Sequence, residues 1–237
     1  MIQKLLFPLQ VLFRPIETLE LGVRNRRYVA ALLFASIATA LSGAALAWKL
    51  DASRVVLSEM AASGELAKAS EREVIDQIDQ SQRIALVKGV ATGIFLVPLI
   101  ALAIALGLKI VCWIIGRKGA FASLLSAVAL ALVPFAIVKL IEAISAVNQV
   151  SLTPTMAAEL LPTSLAALIH DAAPRMRRVY TLIDVINLWI AGLIGIGFSA
   201  ATAWKHSRGI ALSFALYLLF AGALLVGLPG LISQEGV

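Results

Sequence analysis

GVATGIFLVPLIALAIALGLKIVCWIIG, residues 89–116, carries one charged side chain, Lys109, in a run otherwise built of apolar, glycine and threonine residues. A helix of about 20 residues crosses a hydrocarbon core roughly 30 Å thick, and lipid is the only solvent that accepts so apolar a surface. Four more runs share this character, at 28–48, 120–147, 182–203 and 209–232. Strand spans would need short alternating segments, and none is present, so the backbone groups must be satisfied within helices. The reading is an all-α polytopic membrane protein with five transmembrane helices.

Composition agrees. Hydrophobic residues make up 60% of the 237 and charged residues 14%, with a mean hydropathy of +0.94, whereas a soluble domain carries about a quarter charged residues. The first run starts too late and runs too long for a cleavable signal peptide. Two segments are expected: a cytoplasmic amphipathic stretch at 1–27 and a five-helix membrane domain at 28–232, with outer loops at 49–88 and 149–180.

The net charge of +6 reflects membrane topology and implies no nucleic-acid partner. Lys4, Arg14, Arg24, Arg26 and Arg27 precede the first run, Arg117 and Lys118 follow the second, and Lys205 and Arg208 follow the fourth. The positive-inside rule then places the N-terminus in the cytoplasm and the C-terminus outside. Arg175, Arg177 and Arg178 stand against this pattern, but the N-terminal basic residues dominate orientation.

Leu5, Leu6, Leu9, Leu12 and Phe13 recur at helical spacing and predict an interfacial helix on the inner leaflet, kept short by Pro8 and Pro15. In loop 49–88, Ser70 followed by Glu73 matches a capping box. The helix it opens, through Val74, Ile75, Ile78 and Ile84, is expected to run straight into the second span. In loop 149–180, Pro154, Pro162 and Pro174 punctuate short apolar pieces, which predicts short interfacial or re-entrant helices.

Candidate sites are sparse. The single cysteine, Cys112, is expected to be buried, and His170 and His206 are separated by a span, so neither a metal site nor a cofactor is implied. No nucleophile, base and metal set shares one depth, which argues against an enzyme. Lys139 and Glu142, three apart on one helix face, lie about 30 Å from Ala120 by helical rise. Asp184 and Asn187 enter the fourth span at the same level. These four form a candidate polar cluster, read either as a structural ion pair with snorkelling side chains or as a site for an ion, a lipid headgroup or a partner. Lys109 is expected to snorkel toward the cytoplasm. Gly89 and Gly93 form a GxxxG pair, and Ala191, Gly195 and Ser199, with Gly192 and Gly197 alongside, form a smooth stripe. Such stripes pack a chain's own helices or meet a second subunit. Pro98 and Pro134 predict kinks.

Four segments, in this order and spacing, carry a family resemblance: SEREVIDQIDQSQRIALVK at 70–88, GRKGAF at 116–121, SLLSAVALALVPFAIVKL at 123–140 and LIDVINLWIAGLIGIGFSAAT at 182–202. The chain resembles the YIP (Ypt-interacting protein) family of five-span membrane proteins, and the approach to its second span looks like prokaryotic members. The resemblance implies a bacterial cytoplasmic (inner) membrane location. Eukaryotic relatives are associated with Rab-type GTPases and vesicle budding and carry a long polar cytoplasmic N-terminal region that this chain lacks, so the resemblance does not imply that role here. Some prokaryotic relatives accompany ABC exporters of the macrolide type as a further membrane subunit. The functional expectation is therefore a non-enzymatic scaffold or accessory subunit in the lipid bilayer, beside ABC exporter subunits or another copy of itself. A small autonomous transporter, channel or lipid-binding protein is the alternative; few polar groups at mid-membrane and no matched inverted repeat weigh against transport.

Overall fold

A computed structural model of the chain describes residues 7–153, 156–157, 160–161, 163 and 184–227. Most of loop 149–180, with His170 and the arginines at 175, 177 and 178, lies outside the described residues. After a 3₁₀ segment at Phe7–Leu12, nine α-helices follow among the described residues. They are α1 (Pro15–Arg24), α2 (Val29–Lys49), α3 (Ala52–Ser63), α4 (Glu71–Ala91), α5 (Val97–Ile114), α6 (Phe121–Ala131), α7 (Val133–Val147), α8 (Val185–Thr202) and α9 (His206–Gly227). No strand occurs among them; one isolated parallel bridge joins Leu50 to Leu152.

Among the described residues four segments are long and apolar enough to cross a membrane: Val29–Lys49, Glu71–Ile114, Phe121–Val147 and Val185–Thr202. α9 is a further helix of 22 residues, whose polar start at His206, Ser207 and Arg208 puts its apolar part from Gly209 onward. Residues 228–232 of that expected span lie outside the described residues.

The 44-residue rod Glu71–Ile114 is about 66 Å long at 1.5 Å per residue, more than twice the hydrocarbon thickness. It starts where the sequence predicts. Ser70 Oγ accepts from the Glu73 backbone N–H, and the Glu73 carboxylate accepts from the Ser70 backbone N–H at 2.7 Å, a complete capping box. The rod is continuous through a π-helical turn at Thr92–Leu96. Pro98 explains that turn: it has no N–H to give to the Ile94 carbonyl, and its ring presses on that carbonyl, so the helix widens just before it. Pro134 acts in the same way on the third span, which is interrupted at Leu132 between α6 and α7.

The described parts of the chain form two compact units, and the division falls inside α2, α5 and α7. The first is drawn from Met1–Leu33, Ile100–Phe135 and Pro162–Val237. Its centre is α6, on which every residue from Leu124 to Ala131 is buried. Serine and alanine make that helix slim enough to be covered all round. α8 and α1 pack against it. Gly197 of α8 meets Ala127 so closely that a Cβ on the glycine would stand 2.5 Å from the alanine methyl.

Of the stretch Leu5 to Phe13 expected to rest on lipid, Leu5 and Leu6 lie outside the described residues and Phe7–Leu12 is the 3₁₀ segment; α1 follows it. Its buried residues are Thr18, Leu19, Gly22 and Val23, while Phe13 is exposed. Pro15 starts a new helix and so resets which residues face inward. Phe7 and Val11 of the 3₁₀ segment are buried as well, and the Arg27 guanidinium sits 4.9 Å over the Phe7 ring.

The second unit is drawn from Phe34–Leu99 and Ala136–Leu161. Here α3 folds back on α4. Asp51 caps α3 by accepting from the Arg54 N–H at 3.1 Å and from Ser53 Oγ at 2.5 Å, and Gly64 closes it with φ of 73°, a left-handed turn glycine accepts without strain. The hydrogen bonds from Ser53 and the Arg54 amide hold the Asp51 carboxyl below its ordinary pKa. Leu152 is fully buried with Ala45 and Ala146, and its N–H donates to the Lys49 carbonyl at 2.7 Å.

Candidate functional site

Within the second unit, Lys139 and Glu142 meet on α7. The Lys139 ammonium donates to Glu142 Oε2 at 2.5 Å, and the two side chains are 27% and 14% exposed. The i, i+3 spacing puts them on one face of the helix. A third group joins them: Ser42 Oγ on α2 donates to the same carboxylate oxygen at 2.8 Å, and Ser42 is 1% exposed. One carboxylate oxygen thus receives a charge-assisted bond from each of two helices, which ties α2 to α7 and fixes their rotation. A partly buried carboxylate held by two donors is far less costly than an isolated one. The Asn148 side chain, a further neighbour in sequence, turns back to the Ile144 carbonyl at 2.9 Å.

Asp184 and Asn187 belong to the first unit. Asp184 is the N-cap of α8: its Oδ1 accepts from the N–H groups of Ile186 at 2.7 Å and Asn187 at 3.2 Å. Its Oδ2 accepts from Thr163 Oγ1 at 2.7 Å. Asn187 thus contributes its backbone to the cap, and its side chain is exposed. Asp184 serves the opening of a span, where unmet amides would be costly near lipid.

The small residues place helices in contact. In the second unit the GxxxG pair faces α2. A Cβ on Gly89 would lie 2.5 Å from the Gly43 carbonyl oxygen, and one on Gly93 would strike the Ala40 backbone. In the first unit, a Cβ on Gly195 would lie 2.5 Å from the Ile210 Cα, and one on Gly209 would strike Ser199 Oγ. Ser199 donates to the Gly195 carbonyl at 2.9 Å and approaches the Lys205 carbonyl at 3.2 Å, which locks the turn between α8 and α9. Ala191 is 5% exposed. Gly192, by contrast, faces open space, and a Cβ there would meet nothing within 4 Å. Lys109 sends its ammonium to the Gly119 carbonyl at 2.7 Å, in the turn after α5, and Cys112 is buried.

Three other hydroxyls within the spans bond locally. Thr39, Ser126 and Thr202 each donate at 2.8 Å to the carbonyl four residues back, which removes a polar group from lipid without a partner helix. Among the described residues there is no group of three or more His, Cys, Asp or Glu side chains arranged to hold a metal ion. Sequence reasoning missed Ser42, Gly43 and Ala40. Small and polar residues in the first run were the available signal, but which of them faces α4 or α7 depends on helix rotation.

No curated protein and no solved structure matches the chain. A family model described as the Yip1 domain matches residues 9–228, a stretch that takes in the nine helices of the described residues. The spans, their order and the polar approach to the second of them are therefore those of an integral membrane protein, and the chain belongs to the Yip1 domain family.

Proposed function

We propose that this protein is a non-enzymatic scaffold or accessory subunit, with five spans, a cytoplasmic N-terminus and an outward C-terminus, in a bacterial cytoplasmic membrane. An ABC exporter of the macrolide type is its candidate partner, a choice that rests on the family resemblance. The observation that carries the scaffold reading is the surface of α5. Its buried residues form one narrow stripe, Val97, Ala101, Ala105, Leu108 and Cys112, while Leu99, Leu106, Ile110 and Trp113 are more than half exposed. A span that gives so little of itself to its own chain has most of its circumference left for a neighbour. The polar groups that a transporter could place along a pathway have partners within the chain, which supports this reading: Glu142 accepts from Lys139 and Ser42, Lys109 donates to the turn carbonyl, and Asp184 caps a helix.

Purification of the tagged protein from its own membrane in mild detergent, followed by mass spectrometry of what remains bound, tests this. The accessory reading predicts ATPase and permease subunits in stoichiometric amounts. A clean monomer or homodimer contradicts it and favours an autonomous lipid- or ion-binding role.

A further inference from the structure

In the π turn Thr92–Leu96 of the second span each N–H reaches five residues back in place of four, and Pro98, two residues on, has no N–H at all. The Ile94 carbonyl thereby loses the donor that an α-helix gives it. Nothing in the same turn replaces that donor: Gly93, Ile94, Phe95, Leu96 and Val97 have no donating side chain, and the Thr92 hydroxyl donates to the Lys88 carbonyl at 2.8 Å. The third span differs. There a backbone N–H at the Leu132 cap reaches the Leu130 carbonyl, the one that Pro134 deprives of its donor.

Depth makes the open carbonyl consequential. Gln82 Nε2 donates to the Trp48 carbonyl at 3.4 Å, which sets Gln82 level with the outer end of the first span. Ile94 lies 12 residues beyond Gln82, about 18 Å deeper by helical rise. In hydrocarbon a carbonyl freed by proline is met by a neighbouring helix, a hydroxyl or an ordered water. One side of the turn is closed, since a Cβ on Gly93 would stand 2.2 Å from the Ala40 backbone nitrogen. On the other, Ile94, Phe95, Leu96 and Leu99 are 45% to 72% exposed, and the Ile94 carbonyl points toward the half-buried Pro98 ring one turn on. Lipid chains have no donor. A second copy meeting this same face would set acceptor against acceptor, because Ile94, Phe95, Leu96, Leu99 and Ile100 have no donor side chain.

We infer that the Ile94 carbonyl is a docking point for a span of a different membrane protein, one that presents a side-chain hydroxyl or amide donor at this depth. This rests on the accessory reading above and gives the chemistry of the partner's contact. The test uses the full-length protein in its native membrane with a photoreactive residue at Phe95, and compares the unaltered chain with Pro98→Ala, which returns an N–H to Ile94. Mass spectrometry maps the partner residue reached. Protein adducts are expected within one helical turn of a serine, threonine, asparagine or glutamine in a partner span, and Pro98→Ala is expected to lower their yield about tenfold, the effect of one hydrogen bond between spans. Thermal unfolding of Pro98→Ala at or above the temperature of the unaltered chain shows that the variant folds; if it unfolds earlier, the mapped residue alone decides. Adducts mapped to a wholly apolar stretch, adducts to a second copy of this chain, or an undiminished yield in folded Pro98→Ala overturn the inference and leave the accessory reading standing. Protein adducts from photoreactive residues at Leu106 and Trp113 with none at Phe95 do the same. No protein adduct at any of the three positions overturns both.

Discussion

At the scale of single residues, the informative group is the Glu142 carboxylate, which accepts from Lys139 and Ser42. Removing it takes a partner from the Lys139 ammonium, 27% exposed, and from the buried Ser42 hydroxyl, so Glu142→Ala is expected to cost about 1–3 kcal/mol, below the range for fully buried pairs because water still reaches the lysine. The double variant Lys139→Met with Glu142→Leu removes both charges and should recover most of that loss. Thermal unfolding in detergent measures both, and a double variant as weak as the single would contradict a structural role. The sequence makes half of this site legible: i, i+3 spacing alone brings Lys139 to Glu142. Ser42 is 100 residues away, and no periodicity in the first span distinguishes it from Ser36 or Thr39. Asp184 shows the converse case. Its depth in the sequence suggests a member of the polar cluster, yet its position one residue before an apolar helix is also a capping position, and capping is the role its hydrogen bonds serve.

Elements obey two local rules, caps and close approach. Ser70→Ala is expected to cost about 1 kcal/mol in the first turn of α4, read as faster amide exchange at 71–74 with the spans unaffected. The Asp51 cap gives a pH dependence. Its folded pKa lies below the ordinary value, so its contribution is complete above about pH 4 and is lost as pH falls through the lowered folded value. Protection of the first turn of α3, corrected for intrinsic exchange rates, should therefore fall only in acid; constant protection down to about pH 2 would contradict the cap. Gly195→Leu forces α8 away from the Ile210 backbone and is expected to destabilise by about 3 kcal/mol. Gly192→Leu, beside open space, should leave unfolding unchanged within about 0.5 kcal/mol. Loss of a bound partner in that second variant alone would place the partner on this side of α8. The rod Glu71–Ile114 is readable because Ser70 and Glu73 mark its start and no stop signal follows. The inward face of α1 is not, since it depends on where Pro15 restarts the helix.

For the whole molecule, hydropathy specifies a membrane protein, because no other solvent suits these runs. Basic residues flanking α1, the α5–α6 turn and the α8–α9 turn supply the case for a cytoplasmic N-terminus. Hydropathy does not distinguish a surface meant for lipid from one meant for a partner, since both are apolar within a bilayer. The claim that α5 offers its free circumference to a second protein is therefore tested most directly by photocrosslinking in native membranes. A photoreactive residue would be placed at Leu99, Leu106 or Trp113, all exposed, with Ala101 and Ala105, both fully buried, as controls. The account predicts discrete protein adducts of one partner from the exposed positions and none from the controls. Lipid-sized adducts alone at all three exposed positions would contradict it.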